Sequence, residues 1–341
     1  MINVEQIDKM IRKRDKLPKK CISIIKNLNY SCINNIKICN KIKEIPNNFI
    51  RYDIIQKCTP LKISEIDKRG QIHNLTNNET WVQLQYDNKK YDYQYFISYL
   101  NELKSSKLLF LTIIESYNFL FESILLLNDS GICYLNLNRN NIIIYNRTID
   151  FYPVLINFEK SMYLGSGADT NDSTMSNFII NDDCTNLYPL ELYVISYLNE
   201  SNESISYSSI EVIYKKYIDH VNKNCRHISD KICRNKCIVF LKKYINKSKK
   251  EIINDLLTYW RTWDIYSISI FYLYIVDKLK INLNLNEKFI DNFILLLTTN
   301  INPLNRQINK SQYNHLLKTH TEWNFINEIT DEKLVKSNFN V

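Results

Sequence analysis

The chain has 341 residues, 45% of them apolar and 23% charged, with a formal net charge of +8. That length and composition permit one large core or two modest ones. The longest uncharged apolar run, Tyr266–Val276, is too short to span a bilayer, and acids near Met1 with no apolar stretch behind them argue against a secretory signal. The nine cysteines are odd in number and follow no disulfide rhythm, so reduced thiols are expected. Asparagine, isoleucine, lysine and tyrosine are abundant, whereas glycine occurs four times and proline six. The abundant residues have AT-rich codons, so glycosylation matches such as Asn74-Leu75-Thr76 arise by chance.

Residues 1–21 form a basic, polar lead-in. From Ile22 to Lys43 a helical recurrence runs through Ile25, Leu28, Cys32, Ile36 and Cys39. Strands are expected at Phe49–Ile55, Leu61–Ile66 and Trp81–Tyr86, the last with alternating Val82, Leu84 and Tyr86. A short helix over Tyr93–Leu103 precedes a long one over Leu108–Asp129, whose polar residues Glu115, Asn118, Glu122 and Asp129 leave a broad apolar face. Gly131 stops that helix. Two apolar strands follow, Ile142–Tyr145 and Val154–Ile156, each beside a polar segment that projects side chains into one cleft. Gly165-Ser166-Gly167 and Asp169–Thr174 read as a mobile loop.

The succession of helix, glycine stop, loop, hairpin and second loop resembles the centre of the protein-kinase fold. Tyr134-Leu135-Asn136-Leu137-Asn138-Arg139-Asn140-Asn141 is similar to the family's catalytic loop, and Asn157-Phe158-Glu159 to its DFG element. Tyr188-Pro189-Leu190-Glu191 resembles the APE element, Trp263-Asp264-Ile265-Tyr266-Ser267 the DxWSxG helix start, and Asn302-Pro303-Leu304-Asn305-Arg306 the DPxxR element. The long insertion after Glu191 and the form of the Trp263 element look like the serine/threonine kinases of large nucleocytoplasmic DNA viruses.

The resemblance implies a two-lobed α+β kinase-like fold. Its reduced N-lobe would span 22–88 with a hinge at Asp87–Lys90, and its mainly helical C-lobe 89–306, with a helical insertion at about 200–259 and a tail over 307–341. It also implies that Glu191 pairs with Arg306 and that Asp264 accepts hydrogen bonds from the catalytic-loop backbone. The acids of the chemistry are missing. Asn136 stands at the base position, Asn138 at the catalytic-loop lysine and Asn157 at the metal-binding aspartate, while Asn141 keeps the second metal position. No glycine occurs before Gly70, no lysine-bearing strand is evident before the first helix, and no acid lies between Lys16 and Lys43 unless Glu44 serves.

The expectation is therefore a catalytically impaired pseudokinase in the host cytoplasm or a virion, acting as scaffold, virion component or regulatory partner, with no cofactor. The first alternative is an active atypical serine/threonine kinase using ATP and Mg²⁺, with Glu159 or a loop acid recruited to the metal.

Charge supplies a second alternative. Lys215–Lys250 holds twelve lysines and arginines against Asp219 and Asp230, a net +10 where the whole chain carries +8. Lys242, Lys243, Lys247, Lys249 and Lys250 are the candidate docking residues for a protein partner or polyanion, nucleic acid included, with Ile238, Phe240, Leu241 and Ile245 as their packed face. His220, Cys225, His227, Cys233 and Cys237 offer zinc-ligand residue types without a paired-knuckle spacing. His73, His315 and His320 stand alone.

Overall fold

The computed structural model describes residues 21–61, 81–87, 93–103, 106–145, 152–165, 175, 178–201, 203–225, 228–283, 288–304 and 306. The fold is mixed α+β, mainly helical with small sheets. Strand β1 (Cys21–Asn27) leads into helix α1 (Tyr30–Ile42), the single turn α2 (Asn48–Arg51) and strands β2 (Tyr52–Asp53), β3 (Ile55–Leu61) and β4 (Trp81–Asp87). β1, β4 and β3 form an antiparallel sheet with β4 in the middle.

This part of the chain corrects the sequence reading at two places. The helix expected from Ile22 starts at Tyr30, because Ile22, Ile24 and Ile25 make a β-branched run that favours a strand. Asn29 then caps α1, its side chain accepting the Cys32 amide at 2.9 Å. A strand does precede the first helix, and it carries Lys26. The strand expected over Phe49–Ile55 is instead a helical turn followed by β2, since Asn47 takes a left-handed conformation at φ 56° and starts a turn there. The expected strand at Leu61–Ile66 and hinge at Asp87–Lys90 lie largely outside the described residues.

Beyond them come β5 (Tyr93–Tyr95), α3 (Phe96–Glu102), α4 (Ser106–Asp129), β6 (Ile132–Cys133), β7 (Ile142–Tyr145), β8 (Pro153–Ile156) and β9 (Met162–Tyr163). Tyr93–Tyr95 was expected to be helical, but its backbone pairs with β7, and the helix begins at Phe96. The second sheet runs β2-β8-β7-β5, with β2 parallel to β8. Arg51 and Tyr52 fasten its edge to α4. The Arg51 guanidinium reaches the Phe119 carbonyl, Ser123 Oγ and Glu122, and the Tyr52 hydroxyl donates to the Ser123 carbonyl.

Along α4, Glu115, Glu122 and Asp129 are exposed on one seven-residue stripe, while Ile113, Tyr117, Leu120, Ile124 and Leu127 are fully buried. Gly131 ends the helix at φ 76°, and a Cβ there would meet Gly165 Cα at 2.7 Å. The two glycines let β6 and β9 close together.

The remaining helices are α5 (Leu190–Ser201), α6 (Tyr207–Asn224), α7 (Arg234–Lys242), α8 (Lys249–Leu257), α9 (Trp263–Leu283) and α10 (Lys288–Ile301). From Trp263 to Val276 every side chain of α9 is buried, so the longest apolar run is the centre of the core. Among the described residues no helix is long and apolar enough to cross a membrane.

Glu191 and Arg306 meet inside this helical part. Arg306 Nη1 donates to both Glu191 oxygens, at 2.7 and 2.8 Å, and the guanidinium lies 4.8 Å over the Tyr266 ring. Nε and Nη2 have no hydrogen-bond partner, so the pair is carried by one nitrogen. Both side chains are almost fully buried, at 1% and 0% exposure. Removing one partner strands a buried charge, whereas removing both relieves the desolvation cost of each. In urea unfolding, Arg306→Met should lower stability by roughly 3–5 kcal/mol. Adding Glu191→Leu should recover part of that loss.

Candidate functional site

Residues Tyr134–Asn141 pass beneath the end of α4 and are fixed first through their backbone. Asp264, in the first turn of α9 and fully buried, accepts the Tyr134 amide at 2.6 Å and the Leu135 amide at 2.8 Å. Burial pushes its carboxyl pKa above the ordinary range, and the two amides pull the other way. Leu135 is thereby held at φ 52°, a left-handed conformation that a leucine rarely adopts. The Tyr134 hydroxyl donates to the Ile156 carbonyl at 2.5 Å, and Ser161 Oγ donates to the Tyr134 carbonyl at 2.8 Å.

On that frame sits a connected set of amides. Asn136 Nδ2 donates to the Asn157 carbonyl at 2.6 Å, and Asn141 Nδ2 to the Asn136 carbonyl at 2.7 Å. Asn138 Nδ2 donates to Asn186 Oδ1 at 2.7 Å, while Asn138 Oδ1 accepts the Asn140 amide at 2.9 Å. Asn186 continues the chain to the Tyr188 hydroxyl at 3.0 Å. Asn136, Asn138, Asn141 and Asn186 are all buried, so each needs partners, and an amide supplies both a donor and an acceptor for the purpose. Asn157 lies at the rim with φ 62°, and Phe158 behind it is fully buried against Tyr134 and Tyr52.

Glu159 turns toward β1 and α1. Its carboxylate forms an ion pair with Lys26 and accepts a hydrogen bond from Ser31 Oγ at 3.3 Å. Asn34 Nδ2 donates to the Glu159 and Ser161 carbonyls at 3.1 and 2.8 Å. The first helix is therefore fastened to the Asn157-Phe158-Glu159 segment by Ser31 and Asn34, and strand β1 by Lys26. Lys26 is 40% exposed and Glu159 23%, so the pair borders the cleft and is partly wet.

The structure thus brings Asn136, Asn138, Asn141, Asn157 and Glu159 to one place. It ties Asp264 to the loop and sets the Glu191–Arg306 pair behind it. Sequence reading missed Lys26, Ser31, Asn34 and Asn186. The signal for Lys26 was present in the β-branched run before the Asn29 cap.

The potential zinc set does not assemble. Among the described residues no cluster of three ligating side chains exists, and His227 lies outside them. Cys225 and Cys237 are buried, and Cys233 is exposed before α7. His220 instead bridges α6 to α5: its Nδ1 accepts the Tyr193 hydroxyl and its Nε2 donates to the Cys184 carbonyl at 2.7 Å. These groups border a cavity of about 470 Å³ lined by Ile180, Val212, Lys215 and Lys223 among others. Its two acids, Asp182 and Asp219, face the lysines, and Lys216 is paired with Glu200.

No family model matches the chain, and no curated protein matches it significantly.

Burial, assisted by Lys223 and Lys216, holds His220 below its ordinary pKa of 6.5. The unfolded chain then takes up this proton at a higher pH than the folded one, so stability declines as pH falls from 6.5 toward the folded value. Protonation of Nδ1 also removes the acceptor of the Tyr193 hydroxyl. In thermal melts across that window, His220→Gln should show a flatter pH profile than the natural chain. Parallel profiles would mean that the acid sensitivity arises elsewhere.

Proposed function

We propose that the chain is a kinase-like protein that does not transfer phosphate and acts as a scaffold or regulatory partner. The observation that carries this reading is the internal satisfaction of the cleft. Where phosphotransfer needs carboxylates to hold Mg²⁺ and to orient a hydroxyl, the site offers asparagines bonded to backbone and to one another. The Glu159 carboxylate, two positions beyond Asn157, is paired with Lys26.

The order of the parts supports the kinase-like assignment. A strand bearing a lysine, a helix packed on the Asn157-Phe158-Glu159 segment, a long helix, a loop after it that a buried aspartate anchors, and a hairpin follow the family's order. In that arrangement Lys26 occupies the position of the strand lysine that addresses nucleotide phosphates. Its partner is Glu159, and α1 supplies Ser31 and Asn34 in place of an acid.

The chemistry follows from these substitutions. Asn136 cannot take a proton from a hydroxyl at neutral pH, and general-base assistance is worth roughly 10²–10⁴-fold. Asn157 and Asn141 offer neutral oxygens to a hard cation that prefers carboxylates. With Lys26 neutralised by Glu159, an incoming triphosphate must break an existing ion pair before gaining a new one.

Thermal-shift measurements should show no stabilisation of the natural chain by ATP with or without Mg²⁺, and no phosphotransfer above background. Glu159→Gln keeps an acceptor for Ser31 and releases Lys26, so a Mg²⁺-independent shift with ATP should appear and vanish again in Glu159→Gln/Lys26→Ala. Metal-dependent phosphorylation by the natural chain, lost in Asn141→Ala, would overturn the proposal.

A further inference from the structure

We infer that the turn between α7 and α8 is a docking surface for the phosphate backbone of duplex DNA. Residues 242–250 contain five lysines and no acid. Lys242, Lys243, Lys247 and Lys250 are exposed and Lys249 is half-buried, while Phe240, Leu241 and Tyr244 are fully buried beneath them. Asn246, at φ 61°, reverses the chain so that the end of α7 and the start of α8 present their lysines together.

The nearest acids form no ion pair with the cluster. Glu251 folds back to accept the Ser248 amide at 2.8 Å and the Ser248 hydroxyl at 2.6 Å, completing the cap of α8. Asp255 accepts the Tyr244 hydroxyl at 2.7 Å. Among the described residues none of the five lysines forms an ion pair with a carboxylate. Lys249 and Lys250 also stand in the first turn of α8, where the helix dipole disfavours positive charge. Aromatic rings limit the wandering of two ammonium groups, with Lys243 Nζ 5.7 Å from the Phe240 centroid and Lys247 Nζ 5.5 Å from that of Tyr244. A single-sign patch assembled against local electrostatics is relieved by a polyanion.

The remaining chemistry selects the polyanion. Within the turn the apolar side chains Tyr244 and Ile245 are buried or half-buried, so nothing projects to insert between lipids. Within residues 242–250 no exposed aromatic ring offers a stacking platform for a single strand. Lysine ammonium groups are point charges that address phosphate without reading base edges or a ribose hydroxyl. The surface therefore fits duplex DNA without sequence preference. It lies outside the amide-filled site and does not depend on the kinase-like reading.

The test is fluorescence anisotropy of the full chain with labelled mixed-sequence duplex DNA over a salt series. Five neutralised phosphates give a log–log slope of about −4.5, a loss of affinity of about 500-fold between 50 and 200 mM salt. Replacing all five lysines with glutamine should remove most of that slope and weaken binding at least about tenfold, whereas replacing them with arginine should preserve both. Circular dichroism melts of both variants establish that the helices remain folded. Binding that the glutamine variant retains, absence of binding at 50 mM salt, or binding confined to duplex RNA or to phosphatidylserine vesicles would each overturn the inference.

Discussion

The Asp264 carboxylate is the contact on which the site's geometry depends. It joins the most buried helix of the core to two consecutive backbone amides of the Tyr134–Asn141 loop. Two adjacent N–H groups can aim at one carboxylate only when the backbone between them turns sharply, and Leu135 supplies that turn by occupying a left-handed conformation. Such a residue persists only where its surroundings over-determine it. Here the determination comes from below through Asp264 and from above through the Tyr134 hydroxyl and Ser161. Everything that the loop projects, from Asn136 to Asn141, inherits its position from this arrangement.

Asparagine and aspartate satisfy a buried loop in different ways. A carboxylate is only an acceptor when ionised, so several of them converging on one cleft repel each other and call for a cation. An amide brings its own donors. Asn136, Asn138, Asn141 and Asn186 use theirs on carbonyls, on a hydroxyl and on one another, so these buried groups need no cation to hold them together. The charges of Lys26 and Glu159 cancel each other at the border of the cleft. The side-chain amides of Asn136, Asn138 and Asn141 and the Lys26–Glu159 pair thus serve to hold the segments together.

Much of this was legible in the sequence because the signals were long or strongly punctuated. The one-sided pattern of α4, the Gly131 stop and the β7–β8 hairpin each follow from local chemistry that tertiary packing did not override. The misreadings lie where asparagine governs the backbone. Asn29 caps a helix and Asn47 takes a left-handed turn, but in a chain so rich in asparagine neither stands out from its neighbours. The helical recurrence was therefore extended back over β1, and Lys26 disappeared into it. Partnerships across the chain, such as Lys26 with Glu159 and Asn138 with Asn186, have no sequence signature, because 133 and 48 positions separate their members.

A cleft arranged in this way constrains where regulation can act. A ligand shifts a conformational equilibrium only by binding its states unequally. Between β1, α1 and the Asn157-Phe158-Glu159 segment, the ion pair and the Ser31 and Asn34 hydrogen bonds already favour the packed state, so a ligand entering there must first replace those contacts. The lysine turn at the start of α8 has the opposite character. Its charges lack carboxylate partners among the described residues, its backbone is fixed by the Ser248 cap, and its apolar side is buried. A partner meeting it gains electrostatic energy without dismantling structure. The lysine turn and the amide-filled loop thus differ in what a ligand must displace: nothing among the described carboxylates at the first, existing contacts at the second.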